Sequence, residues 1–371
     1  MHCTYPTVEA AFHGLVYRIQ DKVLPTTQVE SRNGPVLKVE EPLTVTINDP
    51  RKRVIFNPAR NANPFFHVVE ALWMLAGRRD VSPLLFYNRR MGDYSDNGVT
   101  LNGAYGFRWR HAELKRNSRE FAIGREADQL DALVEHLTRN PKSRRAVLSM
   151  WNIEDDLMQV DDKTDRTCHQ RMSKDVCCNL SVVFKIRSEA VPSSGFVSSA
   201  EEVRDVLDMT VFNRSNDIIW GMLGANAVHF TFLQEYMAAR LGVAVGKWHQ
   251  VSADAHVYLN NWKPEEWLKY PVEEYPEEGP TILTISAEDF DKCLELFFNI
   301  AGEIDIDPGG YPSEFLEDVA RPMCNAWKYH KRRDYGGARM WTDSITACDW
   351  RIACEEWLYR TEQNYKSREK V

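Results

Sequence analysis

The sequence of 371 residues lacks several features that define large protein classes. It has no run of about 18 apolar residues, so no membrane-spanning helix is expected. The first residues, MHCTYPTVEA, do not combine a basic segment with an apolar one, so no secretory signal is expected and a cytoplasmic location is predicted. No internal repeat or low-complexity tract is visible. With 43% hydrophobic residues, the chain can bury a sizeable core.

The sequence also contains fewer basic than acidic residues. Lys and Arg number 46 against 54 Asp and Glu, which gives a formal net charge of −8. This balance argues against a broad basic surface, so extended nucleic acid is not an expected partner. A small anionic ligand stays possible, because a few local arginines can bind a phosphate on an acidic protein.

The eight cysteines do not follow a metal-binding or disulfide pattern. Without a secretory signal, reduced thiols are expected. Cys168, His169, Cys177 and Cys178 offer four zinc ligands, but their adjacent pairs lack the usual C-x₂₋₄-C spacing. We therefore predict no metal site and leave zinc binding through Cys168, His169 and Cys177 as the alternative.

Helical and strand-like segments alternate irregularly along the chain, which favours an α+β fold over a doubly wound α/β fold. Apolar periodicity predicts helices over 64–76, 126–139 and 225–241 and within the last thirty residues, and strands over 145–151, 179–186, 206–212 and 247–259. Residues 80–104 and 153–175 are predicted to be loops, and 189–204 a hairpin or an insertion.

Several short segments carry side chains suited to covalent chemistry on a phosphorylated ligand. A thiol beside arginines is nucleophilic because positive charge favours the thiolate. Arginine forks and a Ser hydroxyl suit a phosphate, and an Asn amide can read a base edge. Each also has a simpler role: a Cys that opens a buried strand is more often core, paired arginines are more often solvated, Asp217 can cap a helix, and His256 can be a structural histidine.

Taken in chain order, these segments resemble the thymidylate synthase family over about residues 30–262. The motifs that carry the resemblance are Glu70-Ala71-Leu72-Trp73, Tyr105-Gly106, Ser143-Arg144-Arg145, Arg214-Ser215-Asn216-Asp217 with Gly221 and Asn226, and Asp254-Ala255-His256-Val257-Tyr258. The resemblance implies an α+β fold with a mixed sheet packed by helices and a homodimer formed through the sheets. It also implies one-carbon transfer from 5,10-methylenetetrahydrofolate to C5 of a pyrimidine nucleotide monophosphate.

The resemblance assigns roles to individual residues. Cys178 would attack C6 of the pyrimidine, with Cys177 as the second choice; Glu70 would order water and move protons, and Tyr105 would belong to the catalytic group. Asp217, Gly221 and Trp73 would contact the folate, and Asp217 would also belong to the catalytic group. Asn226 would read the base, and His256 and Tyr258 would bind the sugar. The phosphate would be held by Arg32, Arg214 and Ser215, and by Arg144 and Arg145 from the partner subunit.

Departures from the family pattern point to the product. The family His after the nucleophile is Asn179, and the run from Gly221 to Asn226 is one residue longer. The Trp-Asp-x-Trp pattern beside the folate is replaced by Met91-Gly92-Asp93-Tyr94. Without those tryptophans, water would add to the exocyclic methylene in place of hydride. The resemblance therefore favours a deoxyuridylate hydroxymethyltransferase, as in viruses that replace thymine, which would act in the bacterial host cytoplasm.

Three alternatives remain open at this level. One is an ordinary thymidylate synthase, in which Tyr94, Trp220 or the C-terminal segment shields the intermediate. Another is a dCMP or CMP hydroxymethylase, and the third is a non-catalytic nucleotide- or RNA-binding regulator. The predicted organisation is a catalytic domain over residues 1–262, with a helical extension over 263–371 that completes the same domain.

Overall fold

The computed structural model describes residues 1–114, 125–157, 173–190, 203–276, 287–301, 307 and 309–368. The candidate zinc ligands Cys168 and His169, and residues 191–202 of the predicted hairpin or insertion, lie outside this set.

The described strands are β1 His2–Tyr5, β2 Thr26–Ser31, β3 Gly34–Val39, β4 Leu43–Ile47, β5 Ala112–Leu114, β6 Arg125–Ala127, β7 Val147–Ser149, β8 Asn179–Ala190, β9 Val203–Asn213, β10 Asn216–Asp217, β11 Ala244–Ser252 and β12 Ala255–Tyr258. The described helices are α1 Val8–Gln20, α2 Pro64–Leu75, α3 Ser82–Tyr87, α4 Met91–Tyr94, α5 Tyr105–Arg110, α6 Gln129–Arg139, α7 Ile153–Asp156, α8 Asn226–Leu241, α9 Pro264–Trp267, α10 Ala287–Ala301, α11 Arg321–Lys331, α12 Tyr335–Asp343 and α13 Cys348–Arg368.

A six-stranded mixed sheet organises the fold, in the order β1-β4-β11-β9-β8-β7. The pairs β1–β4 and β9–β11 are parallel, whereas β4–β11, β8–β9 and β7–β8 are antiparallel. A four-stranded sheet has the order β10-β12-β3-β2, and β5 pairs with β6. The predicted α+β fold with a mixed sheet is therefore confirmed.

Helix α8 lies against the inner face of the large sheet. It packs on β9 and β11 on one side and on α2 and α6 on the other, and its residues from Asn226 to Ala238 are all buried. Two π-helical turns, Ile218–Ala225, lead into it, and Gly224 interrupts them with a non-helical backbone. A π-type turn accommodates a single extra residue, so this geometry gives the longer run before Asn226 a place in the fold.

Helix α2 matches its sequence prediction closely. The Asn63 side chain accepts the Phe66 N–H and caps the first turn, and Pro64 opens the helix. Gly77 follows with a φ of +66°, which is a conformation suited to a glycine beyond a helix end. The later helices α10, α11 and α13 pack on α2, so residues beyond 262 contribute to the same core.

Three local predictions are wrong. The loop predicted over 153–175 begins with the short helix α7, Ile153–Asp156. The strand predicted over 247–259 is two strands, because the chain leaves the large sheet after Ser252 and enters the smaller sheet at Ala255. Residues 80–104, predicted as a loop, contain the short helices α3 and α4. A polar composition does not exclude single helical turns; before α4, for example, Asn88 Oδ1 accepts the Arg90 N–H. Among the described helices, none combines the length and apolar character needed to cross a bilayer.

Candidate active site

A cleft of about 1130 Å³ opens between the four-stranded sheet, α2 and the segment that holds α3 and α4. Four residues expected from the sequence line it: Arg32, Glu70, Asp217 and Tyr258. The cleft is also lined by Met91, Asp93 and Tyr94, which occupy the segment where the family has its paired tryptophans. Substrate-sized clefts with converging polar groups are the usual form of an active site.

Cys178 lies at the start of β8, with its sulfur beside a guanidinium group. Its Sγ is 3.7 Å from Nη2 of Arg214, and its backbone N–H donates to the Tyr105 hydroxyl at 3.4 Å. Burial raises the pKa of the Cys178 thiol, the positive charge of Arg214 opposes this rise, and Arg32 opposes it to a smaller extent. The site thus holds a half-buried thiol whose ionisation depends on nearby arginines.

Cys177 is in a different environment from its neighbour. Its side chain is fully buried, and its sulfur contacts the carbonyl oxygens of Gly103 and Met150, each at 3.8 Å. Burial raises the pKa of this thiol far above the ordinary range. Burial outweighs the opposing positive charge of Arg108. A thiol with no solvent access is inert, so the geometry supports Cys178 as the nucleophile.

Arg214 is fixed by backbone carbonyls. Its Nε donates to the Cys177 carbonyl at 2.7 Å, and its Nη2 donates to the Val176 carbonyl at 3.3 Å. The other predicted phosphate ligands lie at more open positions: Arg32 is exposed and Ser215 is half-buried. Arg144 and Arg145 are also exposed, directly before edge strand β7. Their donation across a dimer interface stays a prediction.

The predicted base reader Asn226 belongs to a buried chain of amides. Its Nδ2 donates to Asn216 Oδ1 at 3.2 Å, and its Oδ1 accepts from Asn179 Nδ2 at 3.4 Å. Asn216 in turn donates to Gln250 Oε1 at 2.9 Å, and Gln250 Nε2 donates to the Met222 carbonyl at 2.8 Å. All four amide side chains are buried.

This amide relay fixes the orientation of Asn226. A backbone carbonyl only accepts hydrogen bonds, so the Met222 carbonyl requires the amino end of Gln250. Each later amide must then present its amino group to the oxygen of the preceding amide, which leaves one orientation for Asn226. Turning Asn226 over would place oxygen against oxygen at Asn216, a mismatch that is costly in a buried site.

Glu70 forms a buried pair with a histidine that the sequence analysis did not select. Its Oε2 lies 2.8 Å from Nε2 of His229, and the two residues are 6% and 2% exposed. His67 lies one helical turn before Glu70 on α2 and also lines the cleft. Burial, with the charges of Arg60 and His229, lowers the pKa of His67 to about 3, so its imidazole is neutral.

Asp217 serves as a cap and as a cleft residue at once. Its Oδ1 accepts the N–H groups of Ile219 and Trp220 at 2.9 and 3.3 Å. Burial raises the pKa of this carboxyl, although the two backbone donors oppose the rise. Trp220 is exposed towards the cleft, and its ring lies 3.9 Å from the guanidinium carbon of buried Arg60.

The remaining predicted residues are placed as follows. The Tyr258 hydroxyl accepts from Asn33 Nδ2 at 3.4 Å, and His256 Nδ1 lies 3.5 Å from Asp254 Oδ1. Trp73 is buried in the core, where its indole N–H donates to the Asp80 carbonyl at 3.0 Å, a placement that favours packing over a folate contact. Gly221 abuts Asn216, since an added Cβ would lie 2.7 Å from Asn216 Oδ1.

Sequence reasoning placed Asn216 in a motif without a role of its own, and it missed His67, His229 and Gln250 as site residues. Two of them carried a usable pattern: His67 and Glu70 are three residues apart, as are Asn226 and His229, and that spacing puts each pair on one helix face. No pattern indicated Gln250, because its role depends on strand pairing. No cluster of three or more potential metal ligands occurs among the described residues.

Arg32, Glu70 and Asp217 line the cleft, and the charge of Arg32 also acts on the Cys178 thiol. A thiol, arginines, an oriented amide and carboxylates in this part of the fold suit covalent chemistry on a phosphorylated ligand. The thymidylate synthase family model matches residues 59–298. The chain belongs to the thymidylate synthase family, which confirms the resemblance predicted from the sequence; this is a family of folate-dependent one-carbon transferases.

Three individual relatives show which members of the family this chain is similar to. The chain is 36% identical to the deoxyuridylate hydroxymethyltransferase of Pseudomonas phage M6, over 91% of this chain and 89% of the phage protein. It is 35% identical to the protein of the same name from Bacillus phage SP01, over 75% and 64% of the two chains. A thymidylate synthase of Brachyspira hyodysenteriae is 26% identical over 60% and 73%. The names of the phage proteins agree with the function predicted from the sequence.

The environment of Cys178 predicts how its reactivity depends on pH. Because burial raises the pKa of the thiol, alkylation of Cys178 by iodoacetamide is expected to keep accelerating above pH 9. Arg214→Gln removes the largest opposing charge, so the pKa rises further and the rate at pH 8 falls by about tenfold, the effect of one pKa unit. Peptide mass spectrometry measures the modification. The control is Arg204→Gln, which removes an arginine of β9 that pairs with Glu189 of β8. Equal alkylation rates in the two variants would contradict this account.

Proposed function

We infer that this protein converts dUMP to 5-hydroxymethyl-dUMP, with 5,10-methylenetetrahydrofolate as the one-carbon donor. The observation that carries the proposal is the half-buried Cys178 thiol beside Arg214, in the setting of a chain 36% identical to a phage deoxyuridylate hydroxymethyltransferase over nearly its whole length. The buried amide relay and the Glu70–His229 pair supply the further polar groups that base binding and proton transfer need.

In the first half of the reaction, the Cys178 thiolate adds to C6 of uracil and C5 becomes nucleophilic. Arg214 stabilises the thiolate, and Tyr105 holds the backbone N–H of Cys178 through its hydroxyl. C5 then bonds to the one-carbon unit, and the C5 proton leaves. Asp217 and Trp220 line the same cleft as Glu70, and we place the folate beside them.

Base selection follows from the single orientation of Asn226. Its Nδ2 keeps a second hydrogen and its Oδ1 keeps a second lone pair, so the amide can both donate to a base carbonyl and accept from a ring N–H. Cytosine presents the opposite pattern at N3 and C4. An amide that cannot turn over therefore supports the choice of one base, and the names of the phage relatives point to uracil.

The second half of the reaction separates hydroxymethylation from methylation. The segment that faces the cleft presents Met91, Asp93 and Tyr94, and Asp93 and Tyr94 are exposed. A carboxylate at this position attracts water, whereas paired indole rings would exclude it. This supports water, and not hydride, as the group that completes the product.

An uncovered sheet face supports a homodimer. Ser181, Phe212, Val251 and Thr44 lie directly opposite one another across β8, β9, β11 and β4, and all four side chains are half-exposed. Their neighbours Val182 and Val211 point the other way and are fully buried. A sheet face that the described helices leave half-exposed can pack on its copy, and Arg144 and Arg145 then reach the partner's site.

The identity of the product tests the proposed function directly. Incubation with dUMP and methylenetetrahydrofolate in H₂¹⁸O is expected to give 5-hydroxymethyl-dUMP with the heavy oxygen, together with tetrahydrofolate, as read by mass spectrometry. Release of dTMP and dihydrofolate would identify a thymidylate synthase. Cys178→Ser should abolish either product, whereas Cys177→Ser should retain activity.

The amide relay predicts a change in base preference. Gln250→Met keeps the side-chain volume but removes the link to the Met222 carbonyl, so Asn216 and Asn226 are free to turn over. The ratio of kcat/KM for dUMP to that for dCMP should fall by about tenfold, since one correct hydrogen bond is worth roughly 1–1.5 kcal/mol.

The control for this change is Gln234→Met. Gln234 is also fully buried and donates to backbone carbonyls, at Leu207 and Gly246, but it lies outside the relay. The control should lose comparable stability without a change in the dUMP to dCMP ratio. A parallel change of this ratio in both variants would show that the relay does not set base preference.

Mixing two inactive variants tests the shared site. Cys178→Ser supplies intact arginines, and Arg144→Ala/Arg145→Ala supplies an intact thiol. If arginines cross the interface, remixed dimers contain one complete site in each heterodimer, which restores about a quarter of the full activity for random pairing. No recovery, in a mixture shown by labelled subunits to have exchanged, would place these arginines outside the partner's site.

A further inference from the structure

We propose that Arg60 is a positioning residue for the folate: it holds the Trp220 indole from behind, so that the exposed face of this ring forms a fixed wall on which a flat ring of the cofactor binds. The inference rests on the proposed function and extends it to the part of the cleft beside Asp217. Arg60 is a residue that the sequence analysis did not select, and it lies shortly before helix α2.

Trp220 presents an indole ring to the cleft. The residue is 44% exposed and lines the cleft together with Asp217 and Glu70. Its backbone N–H donates to Asp217 Oδ1 at 3.3 Å, which fixes the main chain that carries the ring. Aromatic rings bind one another by stacking, and aromatic side chains are a usual lining of cofactor sites. The exposed side of this indole is therefore a surface suited to a flat ring.

The other side of the indole rests on a buried cation. The guanidinium carbon of Arg60 lies 3.9 Å from the centre of the Trp220 ring, well within the range of a cation–π contact, and Arg60 is 1% exposed. Its Nη2 donates to the Ile219 carbonyl at 2.8 Å. Gly224 gives the guanidinium its room, since an added Cβ would lie 2.9 Å from Nη2. The arginine therefore occupies the space into which the indole would otherwise turn.

Arg60 stays charged although it is deeply buried. Burial lowers the pKa of its guanidinium to about 10, and the negative charge of Asp217 opposes this change, so the group is a cation at neutral pH. Its Nε and Nη1 have no hydrogen-bond partner among the described residues. Unmet donors on a buried cation are costly, and an apolar side chain of similar volume would cost less. The charge is therefore better explained by its contact with the indole than by packing alone.

Binding of tetrahydrofolate to the dUMP-saturated protein, measured by calorimetry, tests the aromatic wall. Trp220→Leu is expected to weaken this binding about three- to tenfold, the range for loss of one aromatic contact, whereas Trp220→Phe should retain most of the affinity. Arg60→Met removes the charge but keeps an unbranched side chain, and we expect a loss of about threefold, in the lower range for a cation–π contact. Arg60→Lys, which restores a cation, should recover part of this loss.

A double variant shows whether the arginine acts through the indole. In the Trp220→Leu background, Arg60→Met should cause no further loss of tetrahydrofolate affinity, because no ring is left to hold. The dissociation constant of dUMP alone should stay unchanged in every variant. In turnover, KM for methylenetetrahydrofolate should rise while KM for dUMP stays at the wild-type value.

The control is a second arginine–tryptophan pair. The Arg321 guanidinium carbon lies 5.4 Å from the centre of the Trp341 ring, and neither residue is among the described residues that line the cleft. Arg321→Met and Trp341→Leu should leave the affinity for tetrahydrofolate unchanged. A loss in these variants as large as in the Arg60 and Trp220 variants would count against the Trp220 indole as the binding surface.

Three results would overturn the proposal. The first is wild-type tetrahydrofolate affinity in Trp220→Leu, and the second is a parallel loss of dUMP and tetrahydrofolate affinity. The third is an equal loss from Arg60→Met with and without the indole, since Arg60 would then act through Asp217 or through the fold. If Arg60→Met melts well below the wild type, Arg60→Gln replaces it in both backgrounds and is judged by the same comparison. Failure of the proposed function looks different, because wild-type protein would form dTMP and dihydrofolate or no product, whereas tetrahydrofolate binding is measured without turnover.

Discussion

The burial of helix α8 is the constraint on which the site depends. The helix has no solvent-facing side over its first thirteen residues, and a buried polar group without a partner is costly. Thr231 donates to carbonyls of its own helix, and each of the other polar side chains there contacts a neighbouring element. Asn226 is met by Asn179 and Asn216, His229 by Glu70, and Gln234 by the backbone of β9 and β11. Glu235 forms a buried ion pair with Arg53.

This constraint links stability to function. The groups that satisfy α8 are the same groups that orient the base reader and hold the carboxylate at the cleft. The residues that contact α8 belong to α2, β8 and β11, which lie far apart in the sequence. The site therefore forms only when α8 packs on the six-stranded sheet. Core packing therefore sets the positions of catalytic groups to within the small tolerances that such chemistry requires.

The sequence predicts helices and strands well where a local feature, such as apolar periodicity or a terminal glycine, determines them. The helix over 64–76 follows from its apolar periodicity and from the Gly77 stop, and β8 follows from an apolar run after Cys178. The break between β11 and β12 was not predictable, because Ala253 and Asp254 only separate two sheets once both sheets exist. The choice of Cys178 over Cys177 rests on an alignment in the sequence and gains a physical reason from burial.

The site was less predictable for the same reason. Arg214, Asp217 and Asn226 lie in motifs, but the partners that tune them come from other elements. Gln250 is one polar residue in an alternating strand, and nothing local shows that its amide orients a residue on α8.

The contrast between water and hydride as the final reactant also depends on three-dimensional context. Both outcomes use the same thiol, base reader and carboxylate, so these groups alone do not choose between them. The choice depends on access of water to one carbon atom and on a base that can take its proton. The exposed segment with Asp93 and Tyr94 bears on access, and the Glu70 carboxylate bears on the proton. A chain that opened the cleft without a proton acceptor would add water slowly, and one with an acceptor but a closed cleft would have no water to activate. Both features occur on the walls of one cleft. The identity of the product therefore depends on the residues around the shared catalytic groups more than on those groups themselves.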